Sequence, residues 1–232
     1  MDNQLSSQVW NVYAAPSKAF EPVKTVSRWV VPLLLCILGS FTFQALTSKY
    51  KMEDLKLRIQ ANEQLSPVEA QRRLANIERQ KTHGISAKAL LKGLAFVSAI
   101  QVAKIFGLAL VLWLALQLTS KIRFMVILSV VSFASLIQLP EILIKAPLIM
   151  FKESTNVLLS SAVLLPPDWQ DSALFNLLNG IDFFSCWTAV VLAIGIRVTA
   201  QVSPRIAYST LGSLWAIWLF GRMMLGNIIQ VV

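Results

Sequence analysis

Residues 29–47, with the sequence WVVPLLLCILGSFTFQALT, decide the fold of this chain. These 19 residues carry no charge, and about 20 apolar residues are enough for a helix to cross the hydrocarbon core of a bilayer. The rest of the chain has the same character, because 56% of its 232 residues are hydrophobic and only 14% are charged. Soluble domains carry about 25% charged residues. The composition therefore excludes a water-soluble globule and predicts an integral membrane protein.

Apolar runs recur along the chain and predict five membrane-spanning helices. The predicted spans are residues 29–48, 94–119, 122–140, 181–200 and 206–230. The charged segment 49–86 separates the first two and predicts an extracytoplasmic helical hairpin, in which Ser66-Pro67-Val68-Glu69 has the form of a capping box with proline at the first helical position. The predicted fold class is all-α: a polytopic five-helix bundle with an extramembrane helical hairpin.

Two segments are predicted to lie at the membrane surface. Residues 1–28 mix aromatic and basic side chains, which indicates a cytoplasmic amphipathic segment with its aromatics at headgroup level. Residues 141–170 contain several prolines and an apolar run too short to cross, which indicates an irregular, interfacial segment. Residues 87–232 otherwise hold spans two to five, and the chain reads as a single membrane domain.

The basic residues of the short connections predict the orientation. With the N-terminus in the cytoplasm, seven bases lie on the inner side: Lys18, Lys24, Arg28, Lys121, Arg123, Arg197 and Arg205. Only Lys145 and Lys152 lie in the short outer connection. Since short cytoplasmic loops are enriched in Lys and Arg, we expect the N-terminus inside and the C-terminus outside. The ten bases between Lys49 and Lys92 oppose this orientation, but long loops follow the rule weakly.

The chain shows no pattern that is typical of an enzyme, a metal site or a cofactor site. Its two cysteines lie inside apolar runs, and its single histidine, His83, lies outside every predicted span. We therefore predict no catalytic residue, no bound metal and no cofactor. The net charge of +9 is spread beside the spans without a basic stripe interleaved with aromatics, so nucleic-acid binding is not expected either.

Four charges are predicted to lie at similar depth in the outer half of the bundle. Counting helical rise along the predicted spans places Lys104, Arg222, Glu141 and Asp182 there. Ionisable side chains in hydrocarbon are costly and usually pair or face a cavity. The cluster could line an outward-facing cavity or partner site. The alternative, which we weigh more heavily, is that Lys104 and Arg222 reach the interface or form structural pairs.

Small residues recur every four positions along the second predicted span. Ala95, Ala99, Ala103 and Gly107 would share one helix face, and small residues let helices approach closely in membranes. We expect this face to pack inside the five-helix bundle, with a homodimer contact as the alternative.

Several segments resemble one family of membrane proteins. Residues 177–187 (LLNGIDFFSCW) and 190–196 (VVLAIGI) resemble the most recognisable segment of the bacterial Yip1 family. Residues 15–20 (APSKAF) and 28–34 (RWVVPLL) are similar to the opening of that family, and residues 203–218 fit its last helix. The resemblance implies a five-span bundle in the bacterial cytoplasmic membrane, with a cytoplasmic N-terminus and no known catalytic activity. It also implies, for some members, an association with transport machinery.

Two functions follow as hypotheses. The first is a non-enzymatic accessory, scaffolding or regulatory partner of another membrane complex such as an exporter, in contact with membrane lipids and with another membrane protein or a second copy of itself. The second is a small permease or lipid-binding protein that uses the outer polar cluster.

Overall fold

The structure is a computed structural model that describes residues 3–24, 28–61, 65–82, 87–117, 119–166, 169 and 172–229. Every regular element in these residues is helical. The α-helices are α1 (Asn3–Ala14), α2 (Pro16–Phe20), α3 (Val30–Ala61), α4 (Pro67–Thr82), α5 (Ala87–Leu116), α6 (Phe124–Ala134), α7 (Gln138–Lys152), α8 (Ala173–Leu178), α9 (Phe183–Ala200) and α10 (Pro204–Ile229). Short 3-10 helices occupy Pro22–Lys24, Ser135–Ile137 and Ser161–Leu164.

Four helices in the described residues are long and apolar enough to cross a membrane. They are Val30–Ala61, Leu91–Leu116, Phe124–Lys152 and Phe183–Ala200. Each contains or overlaps one of the first four predicted spans, which confirms the prediction of an all-helical membrane protein. The fifth predicted span falls in α10, which is not among the four, so the count of five stays a prediction.

The first spanning helix is longer than its apolar stretch. α3 runs for 32 residues, about 48 Å at 1.5 Å per residue, and so exceeds the roughly 30 Å of the hydrocarbon core. Its second half carries the charges that begin at Lys49, where a separate helix was expected. The helix continues because no glycine or proline interrupts the sequence from Phe41 to Ala61. α4 begins at Pro67 as predicted, and the Glu69 N–H donates to Ser66 Oγ at 3.3 Å. The predicted stop at His83-Gly84 lies outside the described residues.

The third span contains two prolines and is nevertheless helical as far as Lys152. The irregular conformation expected from residue 141 onward is wrong for its first twelve residues, because α6, the 3-10 turn Ser135–Ile137 and α7 follow each other without a break. The interfacial location of residues 141–170 stays a prediction. Pro140 is the third residue of α7 and Pro147 lies further inside the helix, and each leaves a preceding carbonyl without its usual helical donor. Within membranes such prolines persist when neighbouring groups satisfy the carbonyls that they leave without a donor.

A tyrosine of the N-terminal segment supplies one such donor. In a continuous α-helix the Leu136 carbonyl would accept from the N–H of residue 140, which a proline lacks. Tyr13 Oη donates to this carbonyl at 2.8 Å, and Leu136 is fully buried. Burial raises the pKa of Tyr13 to about 12, so the hydroxyl keeps its donor proton at neutral pH.

The chain divides into two compact units, of which the first comprises Met1–Cys36, Val102–Leu139 and Leu158–Val232. α6 is its most buried helix and packs against α9, while α2 packs against α9 and α1 contacts the 3-10 turn after α6. Val12, Phe20 and Val23 are completely buried in this unit. The expectation that the N-terminal aromatics lie in the headgroups therefore holds at most for exposed side chains such as Trp10, because Phe20 packs into protein instead.

The second unit comprises Ile37–Gln101 and Pro140–Val157. Gln101 Nε2 donates to Ser40 Oγ at 2.9 Å and joins α5 to α3. Lys56 and Glu78 form an ion pair at 3.5 Å that links the charged end of α3 to α4, where Ile59 and Ile77 are both nearly buried. A hairpin of α3 and α4 requires a contact of this kind, and the hairpin itself stays a prediction.

A glycine sets the distance between α9, α6 and α2. A Cβ atom at Gly195 would lie 2.6 Å from Val130 Cγ1 and 3.1 Å from the Phe20 ring. Neither neighbour has room to move, because Val130 and Phe20 are completely buried. Only glycine permits this approach.

We expect Tyr13→Phe to destabilise the protein by about 1–3 kcal/mol, because a buried carbonyl loses its donor. Thermal unfolding in a mild detergent measures the change. Tyr208→Phe is the matched control, since the Tyr208 side chain is about half exposed, and it should leave the melting temperature unchanged. Equal melting temperatures for Tyr13→Phe and the wild type would contradict the assigned role.

We expect Gly195→Ala to cost about 1–3 kcal/mol through overpacking against Val130 and Phe20. The same unfolding measurement tests this. Gly212→Ala serves as the control, because a methyl group there meets no atom within 4 Å, and alanine favours the helix. A variant at position 195 as stable as the one at position 212 would show that α9 can move away at no cost.

Candidate functional site

Asp182 of the predicted polar cluster has a local role at the start of α9. Its carboxylate accepts from the Ser185 N–H at 2.8 Å, and Ser185 Oγ accepts from the Asp182 N–H at 3.1 Å. The two bonds form a capping box. The acidic side chain stabilises the positive end of the helix dipole. The spacing Asp-x-x-Ser before an apolar run was the sequence signal for this role.

Glu141 of the predicted cluster has a partner on its own helix. Glu141 pairs with Lys145 one helical turn away, with 3.1 Å between Lys145 Nζ and Glu141 Oε1 and both side chains about one-third exposed. Lys104 has an exposed side chain on α5, and the side chain of Arg222 lies outside the described residues. Both carboxylates thus have partners nearby in sequence, and a shared site for the four charges stays a prediction.

The segment that carries the family resemblance anchors a neighbouring loop. Ser160 Oγ lies 2.9 Å from Asn179 Oδ1 and donates to it, and the Ser161 N–H donates to the Ile181 carbonyl at 2.9 Å. Ser160 also forms an isolated antiparallel bridge with Asp182. The polar residues of this segment therefore hold the chain entering α9. No local sequence pattern predicts these contacts of Ser160 and Ser161, because their partners are about 20 residues away.

Asp54 organises a second polar contact that the sequence did not reveal. Its carboxylate accepts from the Thr155 N–H at 2.6 Å, from the Thr155 hydroxyl, and from Ser154 Oγ at 3.1 Å. These bonds tie the charged end of α3 to the residues that follow α7. The partners are about 100 residues apart in sequence, and no local sequence pattern predicts such a contact.

The small-residue face of α5 is the predicted feature that remains open to other molecules. We give this name to Ala95, Ala99, Ala103 and Gly107, all of which are exposed. A methyl group at Gly107 would meet nothing within 4 Å. The expectation that this face packs inside the bundle stays a prediction, and the exposure of the four residues leaves the alternative, a contact with another helix, open.

Another face of α5 makes the internal contacts. Val97, Ile105 and Leu112 are at most 3% exposed, and Gln101 and Ala109 are buried beside them. Val97, Ile105 and Leu112 bury more apolar area on this face than alanine would. The small-residue face is therefore available for a close approach by another helix.

Comparison with known proteins identifies the family. Residues 10–225 match the Yip1 domain. The chain is 28% identical over 157 residues to membrane protein YknW of Bacillus subtilis (strain 168), an alignment that covers 64% of this chain and spans 65% of the length of that relative. No solved structure gives a significant match. Because the matched region covers nearly the whole chain, the resemblance noted in the sequence is confirmed: the chain belongs to the Yip1 domain family, as a membrane protein of the bacterial type.

Proposed function

We propose that this protein is a non-enzymatic accessory subunit that scaffolds or regulates another membrane complex, such as an exporter. The exposed small-residue face of α5 is the observation that supports this role most directly. A transmembrane helix of the partner would pack along Ala95, Ala99, Ala103 and Gly107.

Membrane energetics favour a helix as the occupant of this face. Lipid chains are as apolar as protein side chains, so helices associate in bilayers mainly through close packing and hydrogen bonds. A face of alanine and glycine lets the two backbones approach closely, whereas a face of leucine or phenylalanine keeps them apart. Phe96, Leu110 and Leu114 are exposed on the same side of α5, each seven residues from Ala103 or Gly107. The close approach is therefore centred on the small residues between Phe96 and Leu110.

The extramembrane end of α3 and α4 offers a second contact region. α4 is mostly exposed and carries both charge signs, and its link to α3 through Lys56 and Glu78 presents the two helices together. Charged surfaces of this kind contribute more to the rate and selectivity of association than to affinity. In the proposed complex, α5 therefore provides most of the energy of partner binding, and α3 and α4 provide the selectivity.

We expect the double variant Ala99→Leu, Ala103→Leu to lose its partner while remaining folded, because these exposed positions accept larger side chains without an internal clash. The tagged protein is extracted from its native membrane in a mild detergent, and mass spectrometry quantifies the proteins bound in stoichiometric amounts. The double variant should retain about tenfold less partner than the wild type, a factor that corresponds to about 1.4 kcal/mol.

Ala45→Leu is the control, because Ala45 is an exposed alanine on α3 and the substitution is the same. It should leave partner binding unchanged. Equal binding by the double variant contradicts a role for the α5 face. Recovery of a second copy of this chain as the bound protein would replace the accessory role with self-association. If the wild type purifies with lipid but with no other protein, the permease or lipid-binding hypothesis is favoured. Lys104 of the predicted polar cluster is then the residue to test.

A further inference from the structure

A basic pocket lies at one end of the first unit. The N-terminal 3-10 turn, the connection between α5 and α6, and the end of α9 meet there around a cavity of about 220 Å³. Lys24 comes from the first of these segments and Lys121 and Arg123 from the second, while Thr199 and Gln201 come from the third. Three segments separated by up to 177 positions in sequence (201 − 24 = 177) thus form one concave site.

The charge of this pocket is uncompensated within the part of the chain that the structure describes. Lys24, Lys121 and Arg123 are all exposed, none of the described residues that line the cavity is acidic, and none of the three cations forms an ion pair there. Like charges that share a concave surface repel each other and raise the local concentration of anions. An anion bound between them would remove this repulsion.

The backbone around the pocket attracts anions at the start of α6 and repels them at the end of α9. α6 begins directly after Arg123, whose side chain does not cap the helix, and Val126 of the first turn lines the cavity. The amides of a first helical turn carry partial positive charge and favour anions. The C-terminal end of α9 carries the opposite partial charge, so the three cationic side chains must supply the net attraction.

The position of the pocket relative to the apolar helices indicates which anion it meets. One candidate span begins at Phe124 and another ends at Ala200, so the cavity lies where the hydrocarbon core ends. Lipid phosphates occupy this level, and basic pockets between spanning helices are suited to anionic head groups. Met125, two residues after Arg123, is half exposed and offers apolar surface for an acyl chain.

We propose that Lys24, Lys121 and Arg123 bind the phosphate group of an anionic phospholipid in this pocket. Arg123 is suited to hold two phosphate oxygens through its planar guanidinium, and the two lysines act as point charges on either side. The predicted orientation assigns the site to the cytoplasmic leaflet. The site is separate from the α5 face and does not depend on the accessory role proposed above.

The test measures phosphatidylglycerol bound to the purified, delipidated protein by native mass spectrometry, with phosphatidylcholine as the uncharged comparison. The triple variant Lys24→Gln, Lys121→Gln, Arg123→Gln should bind at least tenfold less phosphatidylglycerol than the wild type, since one basic residue near an anionic surface contributes about a fivefold factor. Phosphatidylcholine binding should not change.

A second triple variant with the same loss of charge is the control. Lys51→Gln, Lys92→Gln, Lys152→Gln removes three exposed lysines that lie outside the pocket and should bind phosphatidylglycerol like the wild type. Equal loss in both triple variants would overturn the proposal, because it would show a response to net charge alone. Equal binding by the wild type and the pocket variant would overturn it as well.

Two further measurements complete the test. One is used if the triple variant does not fold, and the other distinguishes a lipid phosphate from a soluble phosphate. If the triple variant does not fold, Arg123→Lys and Arg123→Gln replace it: the proposal requires that lysine retain more binding than glutamine. Glycerol 3-phosphate at millimolar concentration is the soluble competitor. Failure to displace phosphatidylglycerol supports a lipid site, whereas displacement, together with stabilisation by glycerol 3-phosphate alone, would reassign the pocket to soluble phosphates.

Discussion

The first unit depends on one requirement of helices in membranes, that every backbone carbonyl in the apolar interior must find a donor. Pro140 removes the donor that Leu136 would have within its helix, and Tyr13 provides the replacement. The bond draws α1 to the middle of the third span and brings α2 with it. Phe20 then occupies the space beside Gly195, where no larger residue fits. The docked N-terminal segment, the tight contact between α6 and α9 and the basic pocket beside Lys24 all belong to this arrangement.

α5 buries one face within the chain and leaves another exposed. Bulky residues such as Ile105 and Leu112 are buried against the chain, whereas the small-residue face is exposed. The proposed association therefore uses an exposed face of a helix whose opposite side is buried.

Hydropathy predicted the membrane character and the cores of the first four spans, because uncharged length is a property of local sequence. The capping bond at Ser66 was predicted for the same reason. The capping box at Asp182 is equally local, but the sequence was interpreted there as part of a polar cluster. The docking of Phe20 was not predictable in this way, since an amphipathic segment buries its apolar face equally well in lipid or in protein. The polar cluster was inferred from depth alone, which fixes neither the angular position of a side chain around its helix nor its nearest partner. Glu141 pairs with Lys145, four residues away, and a site shared by the four charges stays a prediction.

The hydrogen bond from Tyr13 to Leu136 joins residues 123 positions apart, and this separation has a consequence for biosynthesis. Ribosomes make α1 and α2 well before α6 and α9, so the N-terminal helices have no protein surface to occupy while the first spans insert. During that interval Val12 and Phe20 lack the partners that bury them, and the bilayer surface suits a segment of this composition. We expect the segment to lie at the membrane surface first and to join the protein interior once α9 has been inserted. Assembly of the first unit is thus a late, long-range step that waits for nearly the whole chain.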